Sequence, residues 1–557
     1  MKSFLLFAAL VLPAALLAQP AKIKTKLKPG ADGGIAPHGP VVVPPQAADP
    51  TAYAERYITQ DALRRDLSIL ASDEYEGRET GTKGQKMAAA YISQQFALDS
   101  LRGPLPVTAG PNAANPYLQS FSLERSAWQP GGTLVAGGTT YKWLTDFYAT
   151  GRSPFAANAT VQPVFVGYGI EQGVYSDYAG RDVQGKDLIM LLGEPRTAEG
   201  KSVLSADGSA TKWAVDYRAK ATLAAQKGAR SVFFVSLDAP ENFQKMAARL
   251  GPRLVQPTIA FADQPTSRVP AFFVSPALGQ KLLGSSEADL KAYSAATAAA
   301  KAPVASKFKP VKFTIDARQE RTSVNTENVL GFLPGTDKKD EILVISAHYD
   351  HLGIHDGQVF NGADDDGSGT VGVLALARAF SKAAHAGKGP RRSLLFLANT
   401  GEEKGLLGSQ YYTSHPVYPL ANTVTDLNID MIGRTDPAHE GKPDYVYVIG
   451  SDKLSSQLHQ ALLAANQQHG NLDLDFRFND PEDPNRFYYR SDHYNFAVHK
   501  IPVAFFFNGV HADYHQQSDE VDKIQFDKLE ARARLVFYLA WDLANRDERV
   551  VVDSNKP

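Results

Sequence analysis

Cysteine is absent from all 557 residues. Its absence excludes disulfides, thiolate metal ligands, a cysteine nucleophile and a lipid-modified N-terminal cysteine. No long basic run occurs and the formal net charge is −2, so nucleic acid and anionic membrane surfaces are poor partners. Beyond the N-terminus no segment approaches the roughly 18 uninterrupted apolar residues of a membrane span. Internal repeats and phosphate-cradling glycine loops are missing as well. What is present is 43% hydrophobic and 21% charged, an ordinary composition for a soluble protein. The chain is too long for one core, so two or more domains are expected.

The N-terminus carries an address. Lys2 supplies a basic start, Phe4 to Leu17 an apolar stretch, and Ala18 a small residue before Gln19-Pro20. Residues 1–18 are therefore expected to be a signal peptide, and the protein to be secreted or periplasmic. Residues 19–55, rich in Pro, Gly and Ala, read as a flexible leader. Thr59 is expected to cap a helix through Leu70, and a second helix is expected around Gln85–Phe96. The polar, Gly-rich SDEYEGRETGTKG between them reads as a loop.

From 137 to 310 short apolar runs (Val164–Tyr168, Asp187–Leu192, Ser231–Val235, Ala271–Val274) alternate with turn-rich stretches and one helical segment, Tyr217–Lys227. This reads as a strand-rich inserted domain. After 320, apolar runs at 342–346, 394–398, 424–429 and 503–507 alternate with helical patterns at 370–384, 453–468 and 526–546. Such alternation predicts an α/β fold, a three-layer, largely parallel sheet with helices on both faces. Ligands of such sheets bind beyond the carboxyl ends of the strands.

The histidines point to the same end. Of the thirteen, all but His38 lie at or after His348. Each apolar run leads into chemistry. Ile342–Ser346 precedes His348-Tyr349-Asp350, Leu394–Ala398 precedes Glu402-Glu403, and Val424–Ile429 precedes Asp430. Val503–Phe507 precedes Tyr514-His515, and the segment GADDDGSG opens the helix near Thr370. Several carboxylates and two imidazoles gathered on one rim require cations. Mixed nitrogen and oxygen donors favour zinc over calcium or magnesium, and a bridging carboxylate can hold two ions about 3.5–4 Å apart.

In order, HYD, GADDDGSG, GEEKGLLGSQ, NIDMIG and YHQQSDEVD resemble the M28 family of zinc exopeptidases over roughly 320–545, with RSDHYNFA and IPVAFFF extending the match. SDEYEGRETGT is similar to the family's N-terminal portion. VFVGYGI, DYAGRDVQGKDLIMLLGEP and KATLAAQKGARSVFFVS are similar to the protease-associated (PA) domain inserted in many members. The resemblance implies the zinc-exopeptidase fold, split over 56–136 and 311–548, with 137–310 as the PA-like insert and 549–557 as a tail. It implies two Zn2+ per chain. His348 and Asp430 would hold one ion, Glu403 and His515 the other, and Asp365 would bridge them. Glu402 would be the general base, Asp350 would orient His348, and Tyr514 matches a tyrosine that bonds the developing oxyanion. The bond Asp365–Asp366 is expected to be cis. The implied activity is aminopeptidase action on peptides. A carboxypeptidase or dipeptidase on the same scaffold, with Arg434, Arg486 or Arg490 binding a substrate carboxylate, is the alternative, as are a single-zinc cyclase-like enzyme and a non-catalytic binding protein.

Simpler readings attach to neighbouring residues. GADDDGSG lacks the spacing of an EF-hand loop. His351 and His355 read as rim or loop residues, His493 as a structural group, Ser368 as part of the turn, and His511 as a competitor of His515.

Overall fold

The computed structural model describes residues 49–107, 114–237, 239–262 and 268–554. The expected signal segment, the leader up to residue 48 and residues 555–557 lie outside them. The described residues form two compact units. Of the described residues, one comprises those within 125–258 and 268–322; the other comprises those within 49–124, Ile259–Ala262 and 323–554. The first unit is thus wider than 137–310 at both ends, because the division falls inside the strands Leu118–Trp128 and Gln319–Leu333.

In the larger unit the apolar runs are strands at the centre of a nine-stranded sheet. Arg392–Asn399, Lys338–His348, Thr423–Ile429 and Val503–Phe507 lie side by side in that order and all run parallel. Gln319–Leu333 flanks them antiparallel on one side, and Tyr445–Ile449 antiparallel on the other. Alternation sorts the side chains by face. Leu343, Ile345, Leu394 and Phe396 join the core beneath the helices Gln60–Leu70, Lys83–Leu98, Gly369–His385 and Phe526–Asn545. Ile342, Val344, Leu395 and Leu397 point the other way, toward Tyr412 and Phe496 of the helices Leu407–Ser414 and His493–Ala497. The sheet is therefore covered on both faces, as the unbroken apolar runs required.

Thr59 accepts a hydrogen bond from the Ala62 amide and starts its helix as expected. The leader ends earlier than residue 55: Thr51–Tyr57 is a helix that buries Ala54. The supposed loop 72–84 is also more than a loop, since Asp73–Arg78 forms helical turns and brings Arg78 into the interior. The Arg78 guanidinium donates to the carbonyls of Leu70, Tyr349, Asn361 and Gly362 at 2.7–3.0 Å. It sews the N-terminal helices to two loops of the sheet's C-terminal rim.

The inserted unit needs a correction. Its apolar runs do form a five-stranded sheet, Phe147–Thr150, Ala271–Val274, Ser231–Val235, Asp187–Leu191 and Val164–Phe165 in order, with a second four-stranded antiparallel sheet. Yet it also holds the helices Tyr217–Gln226, Pro240–Leu254, Pro276–Leu283 and Glu287–Ala300, so it is mixed rather than strand-rich. Turn-like residues hid them. Pro240 and Pro276 sit at helix starts, where a missing N–H costs nothing, and Ser286 caps the Ala-rich stretch with a full capping box.

Arg78→Met is expected to lower unfolding free energy by at least about 3 kcal/mol, because buried carbonyls lose their donor. Equilibrium denaturation in urea measures it. A change within error would show that these carbonyls are satisfied otherwise.

Candidate metal centre

The parallel strands end together, and their last residues converge. His348 closes its strand, buried, with Nδ1 3.1 Å from the backbone carbonyl of Asp350. That bond leaves Nε2 facing the rim, where Asp365 Oδ1 lies at 3.4 Å, Asp430 Oδ1 at 3.6 Å and Glu402 Oε2 at 3.9 Å. The second oxygen of Asp365 lies 3.0 Å from His515 Nε2, which is 3.3 Å from Glu403 Oε2. One carboxylate thus faces two imidazoles, and each imidazole has a further carboxylate of its own.

Local geometry explains how the loop manages this. Asp365–Asp366 is a cis peptide bond. Asp366 turns inward, where Oδ1 accepts from the amides of Gly369 and Met431 and Oδ2 from that of His348. Asp366 stands close enough to His348 and Asp430 to share an ion, but its oxygens are already committed to amides, whereas those of Asp365 face the two imidazoles. Gly369 cannot carry a side chain, since a Cβ would lie 2.4 Å from Asp366 Oδ1 and from the Ile429 carbonyl. Asp519 holds the loop from below by accepting from the amides of Asp364 and Asp365.

The remaining expected residues are placed as follows. The Asp350 carboxylate stands 3.8 Å from His348 Nδ1. Its own partners are the Thr80 hydroxyl at 2.7 Å and the Glu402 amide at 3.1 Å, so the ring is oriented by the carbonyl of Asp350 and the carboxylate tethers Glu402. Tyr514 stacks on His515 with ring centres 3.9 Å apart, and its hydroxyl accepts from Arg490 at 3.2 Å. His511 does not compete with His515, because its Nε2 is bound to Asp364 Oδ2 at 3.0 Å. His493 is buried against Phe505, and burial pushes its ring down to about 3, so it is neutral. Ser368 belongs to the turn, donating to Asp364 and accepting from the Ile432 amide. His355 is exposed on a hairpin.

His351 is the residue the sequence reading misplaced. It is fully buried, with Nδ1 2.9 Å from Glu403 Oε1 and 3.9 Å from Asp365 Oδ2. Beyond the strand end no periodicity tells where a side chain points. Gly362 lies against this ring, and the Arg78 carbonyl accepts from the His351 amide. Ser491, too, carried no signal; its hydroxyl donates to Asp430 Oδ2 at 2.6 Å.

Electrostatics agree with a cation site. Burial raises the carboxyl of Glu402 well above its ordinary value, with His348 opposing and Glu403 and Asp430 adding to the rise. Burial would raise Asp365 as well, yet His348 and His515 hold it well below its usual range. Burial disfavours a charged His515, but Glu403 and then Asp365 outweigh it and lift the ring to about 11. Asp365 Oδ2 and Glu403 Oε1 are buried and have no hydrogen-bond partner among the described residues. Above the centre lies a cleft walled by Met431, Phe487, Phe505, Phe507 and Val510, with Arg490 and Tyr514 at its edge.

Residues 328–540 match the model of Peptidase family M28, so this part of the chain is similar to that family. It is 29% identical over 245 residues to leucine aminopeptidase 1 of Sclerotinia sclerotiorum, covering 42% of this chain and 60% of that one. A vacuolar membrane protease of Tuber melanosporum is 34% identical over 103 residues, 18% of this chain and 10% of that one. The chain therefore spans less than two thirds of these curated relatives. In fold it resembles an aminopeptidase from Aneurinibacillus sp. strain AM-1, with a TM-score of 0.50 and 20% identity, over 91% of this chain and all of that one. No helix among the described residues is long and apolar enough to cross a membrane.

A divalent ion entering the centre must displace the protons that His348 and His515 hold in its absence. Uptake by the metal-free chain should release protons, and apparent affinity should rise from about pH 6 to about pH 8, since deprotonated ligands are consumed. Calorimetry in buffers of different ionisation enthalpy measures the release. Proton uptake, or affinity falling with pH, would contradict this assignment of charge.

Proposed function

We propose that this chain is an exported zinc aminopeptidase that removes N-terminal residues from peptides with a pair of ions. The observation that carries the proposal is Asp365, whose two oxygens face His348 and His515 separately. The donor set fits zinc. It mixes imidazole nitrogen with carboxylate oxygen, contains no thiolate, and leaves two buried carboxylate oxygens without hydrogen-bond partners among the described residues. His348 and Asp430 would hold one ion, Glu403 and His515 the other, with Asp365 shared. Zinc so held supplies Lewis acidity toward the scissile carbonyl and an acidified water.

The chain's own groups do the rest. Glu402 Oε2 faces the space before His348, and its backbone is anchored through Asp350. There it takes a proton from the attacking water and returns it to the leaving nitrogen. The Tyr514 hydroxyl, accepting from Arg490, keeps its own proton to donate to the developing oxyanion. A free substrate amine is drawn to the carboxylates on the floor of the cleft, and an apolar side chain fits the wall of Met431, Phe487, Phe505 and Phe507. Export rests on Lys2 and the apolar stretch after it, and the likeness of the insert to a PA domain rests on its sequence motifs alone.

Arg490 favours a second reading. Of the three arginines considered, it alone lines the cleft. Arg434 is paired with Asp513 at 2.9 Å, and Arg486 lies over the ring of Tyr489. A carboxypeptidase or dipeptidase would use Arg490 to bind a substrate carboxylate. Peptides with free and with blocked N-termini, assayed with and without chelator, separate the two. Hydrolysis confined to free N-termini, lost on chelation and restored by zinc, is expected; cleavage of N-blocked peptides with free carboxyl ends would install the second reading.

Glu402→Gln should retain both ions while kcat falls by about 10²–10⁴-fold, the range for loss of a general base. Metal analysis beside steady-state kinetics tests this. An unchanged kcat removes Glu402 from the role.

A further inference from the structure

Around the second ion position one donor is unaccounted for. His351 contributes Nδ1 beside Glu403 and Asp365, and one donor atom from each of the three lies within 4.8 Å of the others. Among the described residues neither ring nitrogen of His351 has a hydrogen-bond partner, and neither do Glu403 Oε1 and Asp365 Oδ2, all of them buried. Unsatisfied buried polar atoms are costly and rare. Several converging on one point are explained together if they share a cation.

The distances fit that explanation better than a hydrogen bond. His351 Nδ1 and Glu403 Oε1 are 2.9 Å apart, yet off the axis a hydrogen bond demands. Donors that share an ion meet sideways in this manner, each aimed at the metal rather than at its neighbour. Zinc–ligand bonds of about 2.0–2.2 Å in a tetrahedron place donor atoms about 3.3–3.6 Å apart. The separations from imidazole to carboxylate bracket that value: 2.9 and 3.9 Å from His351 to Glu403 Oε1 and Asp365 Oδ2, and 3.3 and 3.0 Å from His515 to Glu403 Oε2 and Asp365 Oδ2.

The ring is also built in place. Gly362, at φ +54°, lies flat against it, and a Cβ there would sit 2.4 Å from the imidazole carbons. Arg78 grips the carbonyl of Gly362 and, through Tyr349, the strand end that leads into His351. The His351 amide donates to the Arg78 carbonyl in turn. A ring gripped this firmly loses little freedom when it ligates.

We propose that His351 is a further ligand, through Nδ1, of the ion held by Asp365, Glu403 and His515. The proposal rests on the two-ion reading above. The second ion then has four protein donors, while the first keeps His348, Asp430 and the bridge. The two positions become unequal: the second is closed and retained, the first open and more readily stripped.

X-ray absorption at the zinc edge decides the matter on the unaltered protein. With two zinc ions bound, three imidazoles per pair of ions are expected, from His348, His351 and His515. Two imidazoles per pair would overturn the proposal while leaving the two-ion reading intact. A protein that takes up one ion or none would overturn both. For His351→Phe, zinc titration should show a second ion bound more than about 100-fold more weakly, beyond the 10–100-fold typical of a group that only supports a ligand. The first ion should be unaffected. An unchanged second affinity overturns the assignment, and should the variant not fold, the imidazole count of the native protein stands as the deciding measurement.

Discussion

Negative charge, buried and crowded, is the constraint that organises this molecule. Asp350, Asp365, Asp366, Glu402, Glu403, Asp430 and Asp519 meet where four parallel strands end. In a medium of low polarity such a cluster repels itself unless each member is compensated. The fold distributes the compensation by type. Backbone amides at the start of the helix Gly369–His385 neutralise Asp366, and amides of the DDD loop neutralise Asp519. Hydroxyls of Thr80 and Ser491 serve Asp350 and Asp430. What amides and hydroxyls do not satisfy, chiefly Asp365 and Glu403, is left for imidazoles and cations. The carboxylates without amide partners are the ones the chemistry needs.

Much of this was legible because parallel sheets write themselves plainly. A strand buried on both faces is mostly apolar, so the polar cluster that follows its run marks the rim, although Asp426 and Asn428 are buried within Thr423–Ile429. His348, Glu402, Glu403 and Asp430 each follow such a run closely. Their convergence was therefore a matter of topology rather than of side-chain detail. Helix starts were equally readable where a capping threonine stood before an apolar pattern, as at Thr59.

The illegible parts share one cause: they depend on partners far away in the chain. Nothing in the polar stretch SDEYEGRETGTKG says that Arg78 enters the interior, because its four carbonyl partners come from three separate segments. His351 lies three residues past a histidine at a strand end, where backbone direction is set by Gly362 and Arg78 rather than by any repeat. The helices of the inserted unit were obscured differently, by prolines and alanines whose local meaning is ambiguous until the neighbouring strands are in place. Local pattern located the rim; only long-range contact determined what faces it.

The donor atoms are dispersed from His348 to His515, and the clamp that shapes their pocket begins at Arg78. In an unfolded chain the donors of His348, Asp365, Glu403, Asp430 and His515 meet only against the entropy of closing the loops between them. On the proposed two-ion reading, both positions are complete only in the folded chain, because each draws donors from several segments of the rim.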